Sequence, residues 1–120
     1  MHADVLILGG GASGLYCAMH AASLGRRVMV LDHGDTLARK VLVSGGGRCN
    51  FTNLAACAED YLCENPHFVK SALARHSPYD ALDFFSARGI EAEEKEAGQL
   101  FSRQGAAAVA RILEAECQEA

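Results

Sequence analysis

The sequence has no tryptophan, only two prolines and few aromatics of any kind (7 %), so its core must be built from aliphatic and small side chains. It also lacks a C-x-x-C pair. Its five cysteines, Cys17, Cys49, Cys57, Cys63 and Cys117, show no zinc-type spacing with histidine, which excludes a zinc ribbon and a vicinal dithiol and leaves no metal site to expect. An odd set of thiols with no basic n-region ahead of an apolar stretch predicts reduced cysteines in a cytoplasmic protein. Cys17 and Cys117, inside predicted helices, read as packing residues. Clusters of Lys and Arg are missing too. With 11 basic against 15 acidic side chains the net charge is −4, which argues against a nucleic-acid surface and for a small-molecule partner. The acids at Glu114, Glu116 and Glu119 read as a solvated helix face. A membrane span is not expected either: between Val5 and Gly25 only Tyr16, Cys17 and His20 can titrate, but Gly9, Gly10, Gly11 and Gly14 break that run.

The strongest positive signal is DVLILGGGASGLYCAMHAASLGRRVMVLD, Asp4 to Asp32. An apolar run at Val5–Leu8 has the length of a buried strand. Gly9, Gly11 and Gly14 follow in G-x-G-x-x-G spacing, and Leu15, Ala18, Met19 and Ala22 then share one helix face. Gly25 suits the end of that helix, and a second apolar run, Val28–Leu31, stops at Asp32. A glycine-rich turn alone is weak evidence. Strand before, helix after and an acid closing the second strand supply the context of a dinucleotide site. There Gly9 allows the tight turn, Gly11 lets backbone approach a pyrophosphate, and Gly14 lets helix and strand pack closely. The helix N-terminus offers amides to the phosphates, and Asp32 is placed to accept the ribose hydroxyls.

A third apolar run, Val41–Val43, leads into SGGGRCNFTN, residues 44–53. Three successive glycines suit a loop whose backbone lies against a ligand. Ser44, Arg48, Asn50, Thr52 and Asn53 supply donors around them, Arg48 being suited to phosphate. Downstream, Asn65-Pro66 reads as N-cap and N1 of a helix to about Arg75, and Ser77-Pro78 with Asp80 as the capping box of a second helix ending at Gly89. His67 and His76 read as surface residues at the ends of the first. Ile90–Lys95 and Gln99–Ser102 flank Gly98 as a small hairpin, and Gly105–Glu116 reads as a helix with Val109, Ile112 and Leu113 inward. The fold class is therefore α/β: a βαβ unit, glycine-rich loop, helical segment, hairpin and helix. Only two or three parallel strands are available, so residues 1–120 read as the incomplete N-terminal portion of a larger domain.

GGGASGL at 9–15, the Arg39-Lys40 pair, VLVSGGGRCNFTN at 41–53, NPHFVKSALAR at 65–75 and GQLFS at 98–102 together resemble the HI0933/YhiN-like bacterial flavoproteins, NAD(P)/FAD-dependent oxidoreductases with a Rossmann-like FAD domain. The SGGGRCN-x-TN block is the specific part of the likeness. The resemblance implies FAD as cofactor and NAD(P)H as electron donor. It implies that Gly9, Gly11, Ala12, Ser13 and Gly14 line the pyrophosphate and Asp32 the ribose. It further implies that Arg39, Lys40, Ser44, Gly45, Gly46, Gly47, Arg48, Cys49, Asn50, Thr52 and Asn53 lie along the phosphates, ribityl chain and flavin edge. Asp32 stands where many members have Glu, and Ala38 replaces the glycine usual before Arg-Lys. Cys49 is expected to touch cofactor or structure rather than act as a redox thiol, because no second cysteine has dithiol spacing. Catalytic residues are not identifiable from the sequence. A nucleotide-binding module without catalysis is the alternative function, and an NAD-only Rossmann protein a weaker one because it leaves the SGGGRCN loop without a role.

Overall fold

A computed structural model describes residues 2–119. Strands β1, Val5–Leu8, and β2, Val28–Leu31, pair in parallel, Val5 against Val28 through Leu8 against Leu31. Helix α1, Ala12–Ser23, connects them and buries Leu15, Ala18 and Met19, with Ala22 half-buried. Its end is set by Gly25, whose N–H donates to the Ala22 carbonyl at 2.9 Å while the backbone takes a φ of +79°. The expected βαβ unit is present. Cys17 corrects one expectation. It lies two positions from Leu15, on the opposite side of a helix with 3.6 residues per turn, and is exposed.

The third apolar run is helical rather than extended: α2 spans Arg39–Val43, so the parallel sheet has two strands. Three apolar residues fit a helical turn as well as a strand, and here the backbone before them decides. Ala38 adopts the left-handed conformation (φ +57°), is buried, and accepts the first helical hydrogen bond from Leu42 at 3.2 Å. A glycine at that position would suffer no Cβ penalty, which gives the usual glycine of the resembling sequences a physical reason. Residues 44–47 then form a tight turn with Gly45, Gly46 and Gly47 all at positive φ. The segment after it is a strand, β3, Asn50–Asn53, where the sequence suggested a loop. Asn at both ends hides it, since Asn is depleted in strands, while Phe51 and Thr52 favour extension.

β3 joins the expected hairpin, β4 (Ala92–Glu94) and β5 (Gln99–Ser102), in an antiparallel sheet of order β3-β5-β4. Between them, α3 covers only Lys70–Arg75. Asn65 does not cap it: its Oδ1 accepts from the His67 N–H at 3.0 Å and its carbonyl from Phe68 at 3.1 Å, making a separate turn. α4, Pro78–Ser86, is capped as the sequence predicts. Ser77 Oγ accepts from the Asp80 N–H, and the Asp80 carboxylate from the Ser77 N–H at 2.7 Å. α5, Ala106–Glu119, runs past its expected end.

The core gathers where α5 meets α1 and α2. Ala106, Val109, Ala110 and Leu113 pack with Leu15, Val41, Cys49, Phe85 and Ile90, while Ile112 is half-buried beside them. Cys117 does pack here, its thiol donating to the Leu15 carbonyl at 3.0 Å. Glu116 is not merely solvated but pairs with Arg88, whose guanidinium also lies over the Phe84 ring. By contrast Leu6 (57 %), Leu8 (78 %) and Leu31 (48 %) on the parallel strands stay exposed. Among the described residues, no helix is long and apolar enough to cross a membrane.

Candidate functional site

The turn from β1 into α1 is held by main-chain contacts. The Gly9 N–H donates to the Leu31 carbonyl at 2.7 Å, and Gly9 itself takes φ +110°. At Gly14 there is no room for a side chain: a Cβ would stand 2.0 Å from the Gly9 carbonyl oxygen and 3.4 Å from Ile7 Cγ2. At Gly11 the opposite holds, since a Cβ would meet nothing within 4 Å. One glycine is needed for contact, the other leaves clear space in front of the backbone. No side chain caps Gly11, and the first intrahelical bond runs from Leu15 to the Gly11 carbonyl, leaving the amides of Ala12, Ser13 and Gly14 without helical partners.

Gly10, to which the sequence gave no site role, completes the corner. A Cβ there would lie 2.3 Å from Leu37 Cδ2 and 3.4 Å from Asp32 Oδ2. The Asp32 carboxylate therefore faces the glycine turn. Its side chain is 17 % exposed, and His33 Nδ1 lies 3.5 Å from its Oδ1. Leu8, Gly9, Leu31, Asp32 and His33 line a depression of about 470 Å³ on this side of the corner. Nearby, the Ala38 N–H donates to the Gly10 carbonyl at 2.7 Å and ties α2 to the turn.

On the other side of the corner lies a second cavity, of about 480 Å³. Ala12, Ser13, Lys40, Ser44, Cys49 and Asn50 meet there although they come from three separate stretches of chain. Phe85, Val109 and Leu113 form an apolar part of the wall, and Tyr16 and His76 a polar one. Cys49 is buried at φ +52°, and Ser44 Oγ donates to the Val41 carbonyl at 2.7 Å. The Asn50 amide, in the orientation its neighbours require, donates to the Leu100 and Thr52 carbonyls at 3.1 and 3.0 Å. Gly45 packs under β5, where a Cβ would lie 3.0 Å from the Phe101 ring, whereas Gly46 and Gly47 border open space.

The remaining expected site residues sit apart from this cavity. Thr52 and Asn53 line an adjoining hollow with Tyr61 and His76, and Asn53 Oδ1 accepts from the Ala55 N–H at 2.9 Å. Arg39 folds against Gly34. Arg48 donates to Glu93 Oε2 at 2.8 Å, and Arg103 approaches the same oxygen at 4.0 Å, so the guanidinium suited to phosphate is here held by a carboxylate. Among the described residues no three His, Cys, Asp or Glu side chains converge as a metal site requires. Tyr16 and His76, the polar side chains of the cavity wall, had no site role in the sequence reading, although His76 is exposed as expected. Burial, with a smaller contribution from Asp80 and against the pull of Arg88, raises the Tyr16 phenol above its ordinary pKa.

Comparison with known proteins places the sequence in a family. A family model described as the HI0933-like protein Rossmann domain matches residues 3–120. The chain is 48 % identical over 118 residues to a ribosomal RNA dihydrouridine synthase of Haemophilus influenzae, covering 98 % of this chain and 29 % of that protein. It is 47 % identical over 116 residues to the protein of the same name from Escherichia coli, covering 97 % and 29 %. To a 3-dehydro-bile acid delta(4,6)-reductase of Clostridium scindens it is 35 % identical over 113 residues, covering 92 % and 27 %. The chain thus spans less than a third of the length of these relatives.

Proposed function

The chain belongs to the HI0933-like Rossmann-domain family, and from that membership we propose that residues 1–120 form the FAD-holding portion of a longer oxidoreductase that draws its electrons from NAD(P)H. The observation that carries the reading is the corner itself: backbone in contact at Gly14, clear space at Gly11, unpartnered amides at the start of α1, and a carboxylate facing the turn. These features suit a diphosphate and a ribose. Gly9, Gly11, Ala12, Ser13 and Gly14 would hold the pyrophosphate and Asp32 the ribose, with Lys40, Ser44, Cys49 and Asn50 along the continuing cofactor. Bound FAD supplies two-electron reduction. The protein's part is binding and orientation. Its five free thiols fit a reducing, cytoplasmic setting.

The relatives' names suggest the substrate class. Forming dihydrouridine and reducing a 3-dehydro-Δ4,6 bile acid both saturate a carbon–carbon double bond conjugated to a carbonyl. We propose that chemistry for the complete enzyme, with a uridine in ribosomal RNA as the leading substrate on the strength of the closer relatives. For such a substrate, residues 1–120, with a net charge of −4, would leave the basic RNA contacts to the rest of the protein.

The test is purification of the full-length protein. It should be yellow, NADH or NADPH should bleach it, and Asp32→Asn should weaken FAD binding by about tenfold or more through loss of a charged acceptor. A colourless protein that takes up no FAD defeats the proposal, and a yellow one that neither nicotinamide bleaches favours a non-catalytic nucleotide module.

A further inference from the structure

We propose that Glu93 is a positioning residue for the cofactor site, acting through Arg48 to lock the glycine turn against the β4–β5 hairpin, with the FAD-holding reading above as the premise. Three contacts from the hairpin converge on the turn. The Phe101 ring lies against Gly45, where a Cβ would stand 3.0 Å from it. The Ser102 N–H, at the buried end of β5, donates to the Arg48 carbonyl at 2.9 Å and reaches the Cys49 carbonyl at 3.3 Å. Glu93, paired across the hairpin with Phe101, accepts from the Arg48 guanidinium at 2.8 Å through Oε2. Arg103 Nε lies 4.0 Å from the same oxygen, so one half-buried carboxylate faces two guanidinium groups.

The turn needs such a lock. Gly46 and Gly47 border open space and carry no side chain that could tether them. Cys49, at φ +52°, holds a left-handed conformation that a residue with a side chain keeps only where surrounding contacts enforce it. That conformation leads the chain from the turn into β3, and so sets where Cys49 and Asn50 line the cavity. Arg48 is not among the residues that line it. Its guanidinium is bonded to β4 instead, so its charge serves the turn rather than a phosphate. A charge-assisted hydrogen bond in a half-buried pair suits this task, whereas a fully exposed pair adds little.

Full-length wild type, Glu93→Gln, Arg48→Met and the double variant are titrated with FAD, and the visible circular dichroism of the bound flavin is recorded. Each single variant should weaken FAD binding by about tenfold, the scale of one charged hydrogen bond, and alter the flavin bands. The double variant should lose no more than either single one, because the two residues act as a unit. In parallel, alkylation with iodoacetamide at saturating FAD is mapped by mass spectrometry. The buried Cys49 should react faster in Glu93→Gln, while Cys117, packed against the core, reacts as in wild type. Unchanged or tighter FAD binding in Glu93→Gln overturns the assignment; with weaker binding in Arg48→Met, it makes Arg48 a direct phosphate ligand. Losses that add in the double variant overturn it as well. So does faster alkylation of Cys117 together with Cys49, which reports a general loosening of the fold. A wild-type protein that takes up no FAD defeats the flavin reading and the cofactor half of the assignment; Cys49 alkylation, run without flavin, then decides the lock alone.

Discussion

At the scale of single residues, the glycines of one motif do different physical work, and only part of it is visible in their spacing. Gly14 is a contact residue. Adding a methyl group puts a carbon 2.0 Å from a backbone oxygen, which no rotamer change relieves. Gly14→Ala is expected to destabilise the fold by about 3 kcal/mol, the upper range for overpacking, and to abolish cofactor uptake; denaturant melts and flavin absorbance measure the two effects. Gly11→Ala meets open space and should fold normally, so any loss of binding there reports on the ligand alone. The spacing gave Gly14 to close packing, which the contact with the Gly9 carbonyl shows, and Gly11 to a ligand's approach, where the structure leaves clear space. It could not show Gly10, whose missing side chain admits Leu37 and Asp32, because that depends on residues brought close only by folding. Nor did composition around the SGGGRCN loop reveal that Arg48 is held by Glu93, an ion pair spanning 45 positions.

At the scale of elements, legibility followed length and punctuation. α1, α4 and the hairpin had periodic apolar residues bounded by Gly, Ser-Pro or Asp and were readable. α2 and β3 were too short to have a period, and Asn65-Pro66, a good helix opening by composition, was diverted into a turn by the Asn65 side chain. The Ser77 cap offers a direct check. Ser77→Ala should cost about 1 kcal/mol of stability in chemical denaturation. Its partner Asp80 accepts from the Ser77 N–H and hydroxyl, which lowers its pKa below the ordinary 3.8. A carboxylate with a depressed folded-state pKa adds stability above its unfolded value and loses that contribution as the pH falls through the folded one. Asp80→Asn should therefore destabilise the protein at neutral pH, with the difference from wild type fading below about pH 4, as melts across a pH series would record.

At the scale of the whole molecule, α5 packs on α1 of the βαβ unit and on β5 of the antiparallel sheet, and the parallel pair is left open. Parallel strands are ordinarily covered on both faces, yet Leu6, Leu8 and Leu31 stand open. Residues 1–120 on their own should self-associate as concentration rises, and replacing Leu6 and Leu8 with serine should suppress this in sedimentation runs. The cavity shows the same limit of sequence reading on a larger scale. Ala12, Ser13, Lys40, Ser44, Cys49 and Asn50 lie in stretches that the resemblance singled out. Its Tyr16–His76 wall joins the second turn of α1 to the residue after α3, and no local pattern links them.

The Gly9–Gly14 contact has one more consequence. Where main chain presses on main chain, nothing at the turn can swing aside to admit one visitor and refuse another. If the corner holds a diphosphate as proposed, that seat is ready before any guest arrives and blind to what the phosphates carry. Discrimination between nucleotides would then come from the sugar end at Asp32 and from the far walls of the cavity. ADP, which shares the seat and the sugar but not the ring system, should compete for it in a displacement titration.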